Sequence, residues 1–137
     1  MINQEGYTKL HETDKLVLGH VFENAYLTNK DTNDSIFIGH FYGDPNCGII
    51  GSDNTWCLVG GYTLTLWTTT GLKEIKDDTV NWTFKIRQTD THKVELLIDP
   101  WADNSSVWEF DILTQEMRKV KDFNDYKNQS YTDNIVW

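Results

Sequence analysis

The sequence predicts an all-β fold, an antiparallel meander forming a sandwich or a barrel, with room for one short C-terminal helix. Three observations carry this expectation. Apolar and polar residues alternate in run after run, the period of a half-buried strand. The runs are short and evenly punctuated by Gly, Asn, Asp and Pro. The chain has 137 residues, 39% of them hydrophobic, which suits a single β-rich domain over residues 1–137.

In chain order, Leu16–Phe22 and Ile36–Tyr42 are apolar on both faces and echo one another, with Cys57–Gly61 as a looser third copy. Such runs read as central strands, with Gly19 and Gly39 at bends or close backbone approaches. Three imperfect copies make neither a solenoid nor a full propeller. Gly60-Gly61 is expected to supply positive φ in a tight hairpin between Trp56–Val59 and Tyr62–Thr68. In the latter run Tyr62, Leu64 and Leu66 oppose Thr63, Thr65 and Trp67. The clearest alternation is Val80–Arg87, with Val80, Trp82, Phe84 and Ile86 on one face. His92–Ile98 and Ser106–Ile112 repeat the pattern, which places Trp82, Trp108 and Phe110 in the core. Residues 114–126 admit two readings. Met117, Val120, Phe123 and Tyr126 recur every three residues, as in a helix capped by Thr114. A hairpin continuing from Trp108–Ile112 is the other reading, and the preferred one. The apolar end Ile135-Val136-Trp137 is expected to dock on the domain.

Charge narrows the function classes. Twelve Lys and Arg face 21 Asp and Glu, a formal net charge of −9. That argues against nucleic acid and against a polybasic membrane contact. The start is polar and shows no basic-then-apolar leader, so the expected compartment is the cytoplasm. Cys47 and Cys57 read as buried free thiols, with a short-loop disulfide as the alternative.

Chemistry-bearing patterns are sparse. His20 and His40 occupy equivalent places in the echo and could share a metal with Asp44, but no HxH or HExxH spacing supports this. Asn29–Asp34 lacks the glycine and late Glu of a calcium loop. No carboxylate pair stands out for glycoside hydrolysis. There is no GxSxG, P-loop or GxGxxG. The expectation is a non-enzyme without cofactor or metal.

Aromatic content is more informative, with six Trp, six Tyr and six Phe. Trp101 lies in the acidic loop Asp99-Pro100-Trp101-Ala102-Asp103. It reads either as an interface anchor or as a ring folded over the core edge. Together with Asp77 and Asp78, the residues Asp99, Trp101 and Asp103 form the candidate partner-binding set.

The stretch Gly39–Ile50, continuing through Asn54–Gly61, resembles small bacterial proteins found beside polymorphic or type VI secretion toxins as immunity proteins. The resemblance implies neutralisation of a cognate toxin or effector by direct contact. The charge implies a partner with a basic surface. The alternative expectation is a carbohydrate-binding, lectin-like β-sandwich using exposed Trp and Tyr platforms. A small hydrolase with an unrecognised carboxylate site is a third.

Overall fold

The computed structural model describes residues 3–137 and is all-β. The first sheet is β1 (Tyr7–Glu12), β2 (Leu16–Val21), β3 (Asn24–Asn29) and β4 (Ser35–His40). The second is β5 (Cys47–Ile50), β6 (Trp56–Gly60), β7 (Leu64–Thr68) and β8 (Gly71–Ile75). The third is β9 (Thr83–Asp90), β10 (Lys93–Ile98), β11 (Ser106–Asp111) and β12 (Met117–Asp122). Each sheet is an up-and-down antiparallel meander in chain order, and none closes on itself.

The sheets stack face to face with the second in the middle. Alternation along β6 explains how it serves two cores. Cys57 and Val59 face the first sheet and join Leu18, Ala25, Leu27, Ile38 and Phe41. Trp56 and Leu58 face the third sheet and join Val94, Leu96, Ile98 and Phe110. Hence β6 is buried along its whole length. The outer face of the third sheet is covered by the C-terminal segment. Phe123, Tyr126, Ile135 and Trp137 pack on Leu97 and Val107 there. The Trp137 ring lies 4.0 Å from the Arg87 guanidinium. The apolar end therefore docks, as the sequence suggested.

Several expectations change. The structural repeat is the whole four-stranded meander, so the echo joins β2 and β6, both second strands, with β4, a fourth strand that lies exposed at its sheet edge rather than centrally. Residues 114–126 form no α-helix. Asp111 Oδ1 accepts from the Leu113 and Thr114 amides at 2.8 and 3.0 Å, and Asp111 N donates to Glu116 O. This turn sends the chain back as β12. Val80 and Trp82 are not on the strand. Asp77 caps a 3-10 turn at Asp78–Val80, and the Thr83 hydroxyl donates to Val80 O at 2.7 Å. The strand starts only at Thr83, and a bulge opposite Leu97/Ile98 turns Phe84 outward. Trp82 is consequently 46% exposed rather than core.

Gly60 and Gly61 do not have positive φ. Their role is close approach: a Cβ on Gly60 would lie 3.1 Å from both Cys47 Sγ and Thr83, and one on Gly61 3.3 Å from Pro45. Gly19 is a second such case, because Tyr7 Oη occupies the place a Cβ would take, 2.3 Å away. Both cysteines are free. The register puts Cys47 opposite Gly60 and Cys57 opposite Ile50, on opposite faces of the sheet. His20 and His40 also lie on opposite faces, paired across β3 with Ala25 and Asn24.

Candidate partner-binding face

Five loops share one end of the stack: residues 22–23, 41–46, 61–63, 76–82 and 99–105. Backbone hydrogen bonds tie them together. Phe41 N donates to Glu23 O at 2.8 Å, and Asn46 N to Gly60 O at 2.8 Å. Trp82 N donates to Tyr62 O at 3.4 Å, and Asp99 N to Trp82 O at 3.0 Å. These bonds satisfy backbone groups that loops would otherwise leave to water.

Three aromatic side chains from three loops form a line across this end. Tyr42 meets Tyr62 edge-on, with centroids 5.5 Å apart at 61°. Tyr62 meets Trp82 at 5.1 Å and 84°. Tyr42 is 75% exposed, Tyr62 38% and Trp82 46%. Edge-to-face contacts hold such rings in place by their quadrupoles, at about 0.5–1.5 kcal/mol per pair beyond burial. Trp82 also has φ 62°, in the left-handed region. A side chain there costs about 1–2 kcal/mol. The fold thus keeps a large, half-exposed indole at a position whose backbone favours glycine.

The surroundings are acidic. The five loops carry Glu23, Asp44, Asp77, Asp78, Asp99 and Asp103 against one cation, Lys76. Some of these acids also build the loops. Glu23 Oε2 accepts from Gly43 N at 2.6 Å, beside Tyr42. Asp77 Oδ1 accepts from Thr79 N at 2.9 Å, and Asp99 Oδ1 from Trp101 N at 3.2 Å. Asp103 is fully exposed, 3.7 Å from Lys127. The four acids of the sequence-derived set therefore share this end.

Trp101 takes the folded-over position. Phe84 meets it edge-on at 5.2 Å, and Tyr131 stacks on it at 5.0 Å and 28°. Its indole Nε1 is buried without a hydrogen-bond partner among the described residues. Replacing Trp101 with Ala should lower stability by about 1–2 kcal/mol, below the loss at a fully buried site. Urea unfolding measures this, and affinity for a partner should change little. Unchanged stability with lost affinity would make Trp101 an anchor instead.

Sequence reasoning missed Tyr42, Tyr62 and the exposure of Trp82. A signal was present: each adjoins turn chemistry, as Tyr42-Gly43-Asp44-Pro45, Gly61-Tyr62 and Asp77-Asp78-Thr79 before Trp82.

Reactive chemistry is not gathered here. Burial pushes the Cys47 thiol up to about 12, and that of Cys57 further in the same direction. His20 Nδ1 lies 2.7 Å from Phe22 O, and His40 Nδ1 2.7 Å from Asn24 Oδ1. No group of three or more His, Cys, Asp or Glu could hold a metal among the described residues. No helix among them is long and apolar enough to cross a membrane.

No family model matches the chain, and no curated protein matches it. Among solved structures, it is similar to Kuenenia stuttgartiensis hydrazine synthase, with a TM-score of 0.53 at 15% identity. The match covers 78% of this chain and 34% of that one, so the chain spans about a third of the structure it resembles. At this identity the likeness concerns the fold alone.

Proposed function

We propose that this protein is an acidic binding protein of the immunity type, which neutralises a cationic toxin or effector by covering it with the aromatic end. The supporting observation is the line Tyr42–Tyr62–Trp82, at an end whose five loops carry six acids and one lysine. Trp and Tyr are the commonest interface anchors, and a one-sign rim steers the opposite charge toward them. The edge-to-face angles weigh against the lectin reading, because a sugar platform needs rings presented flat, in one plane. The resemblance of Gly39–Ile50 and Asn54–Gly61 to immunity proteins points the same way.

The rim should act on association. Asp44 and Asp78 are exposed, and neither carboxylate has a side-chain hydrogen bond or salt bridge among the described residues. Changing both to Asn should slow association with the partner by roughly three- to tenfold at low salt, with dissociation little altered. Stopped-flow binding at two ionic strengths measures this. The partner is sought by capture from the source organism's lysate at low and high salt. Recovery of one basic protein, weakened by salt, supports the proposal. Retention on a polysaccharide matrix without protein capture turns the assignment to the carbohydrate-binding alternative.

A further inference from the structure

The first strands of the three sheets run beside one another, β1 against β5 and β5 against β9. Each is the edge of its own sheet. Between them opens a cleft of about 560 Å³, lined by residues 9–11, 46–49 and 85–88. The cleft is shallow and largely open to solvent.

Its charge is opposite to that of the molecule. Among the eleven lining residues are Lys9, Lys85, Arg87 and His11, and there is no Asp or Glu. The chain as a whole has 21 acids and 12 bases. Two of the cations are already engaged outside the cleft lining. Lys9 pairs with Glu12 at 2.9 Å, and Glu12 also pairs with Lys30 at 2.6 Å. Hydrogen bonds from these two lysines hold the Glu12 carboxyl down at about 2. Arg87 pairs with Glu95 at 2.7 Å and donates to Trp137 O at 2.5 Å. Lys85 has no carboxylate partner among the described residues; its ammonium lies 5.8 Å from the Phe84 ring centroid.

His11 adds a fixed donor. Its Nδ1 accepts the Ile50 amide at 2.9 Å, so the ring hydrogen resides on Nε2. Burial lowers its pKa, which favours the neutral ring. Leu10, Ile49 and Ile86 supply an apolar wall beside these polar groups.

We propose that this cleft is a binding site for a small organic oxyanion, a carboxylate or phosphate attached to an apolar group. Lys85 supplies the uncompensated charge, His11 Nε2–H a neutral hydrogen bond, and the apolar wall the contact for the rest of the ligand. Apart from Asn46, which ends a loop of the aromatic end, the lining of the cleft is separate from that face.

Two probes, inorganic phosphate and hexanoate, distinguish the two oxyanion chemistries. Each is titrated into the full chain while backbone amides are followed by NMR. At least one should give saturable shifts confined to residues 9–11, 47–49 and 85–88, with a Kd on the order of 1 mM. Lys85→Gln should weaken that binding at least fivefold without changing the thermal midpoint, and Lys85→Arg should retain it. Tighter binding of hexanoate makes the ligand a carboxylate, and tighter binding of phosphate a phosphate ester. Absence of saturable shifts with both probes, or full binding by Lys85→Gln, overturns the proposal.

Discussion

Replacing Trp82 with Gly should cost partner binding about 2–4 kcal/mol, a loss of thirtyfold or more, while stability stays within about 1 kcal/mol of the parent. Two terms nearly cancel in the isolated protein. Glycine relieves the left-handed backbone at φ 62°, a gain of about 1–2 kcal/mol. It forfeits the contact with Tyr62 and the buried half of the indole, a loss of similar size. No such cancellation operates in a complex, where the exposed part of the indole is the part that a partner covers. Denaturant titration and calorimetric binding, run on the same preparation, separate the two effects. A large stability loss with unchanged affinity would make Trp82 a structural residue.

Trp56→Ala should have the opposite signature, a loss of about 3–5 kcal/mol in stability with affinity unchanged in the fraction that remains folded. Trp56 is 1% exposed and sits in the core between the second and third sheets. Its indole Nε1 donates to Thr91 O at 3.1 Å, across the two sheets. Gly51 makes room for the ring, since a Cβ there would lie 2.3 Å from the indole. A cavity of this size cannot collapse between two sheets that are each held by their own ladders. The loss is a large share of a typical domain stability of about 5–15 kcal/mol. Guanidinium unfolding should show a lower midpoint, and a change below about 1 kcal/mol would mean that the sheets repack freely.

The fold class was legible because β10 and β11 alternate over most of their length, with Leu97 and Val107 turned instead to the C-terminal segment. Val94, Leu96 and Ile98 face the same core as Phe110, as their spacing requires. The sheet order was not legible, because the repeating unit is a whole meander held by hydrogen bonds rather than a side-chain motif. The similarity of Leu16–Phe22 to Ile36–Tyr42 joins two strands of one sheet rather than two repeats: β2 is buried, whereas β4 is an edge strand with Ile36 and Phe37 exposed. The start of β9 was misread for a local reason. The apolar period through Val80 and Trp82 runs straight across a turn set by the Asp77 cap, which side-chain alternation does not register.

The candidate site was legible in its charge and not in its aromatics. Asp77, Asp78, Asp99 and Asp103 share one end because every second loop of a meander returns there. Trp101 carries the acidic flanks expected of an anchor, yet Tyr131, about 30 residues further on, stacks over it. A contact that distant leaves no trace in the loop's own sequence. Trp82 and Tyr62 come together only because the second and third sheets bring their loops side by side.

Hydrogen-exchange protection of the protein with and without its captured partner tests the central claim most directly. The account predicts slowed exchange in residues 41–46, 61–63 and 76–82, with the loops at the opposite end unchanged. Protection confined to residues 30–34, 51–55 and 91–92 would contradict it and move the binding face to the other end of the stack.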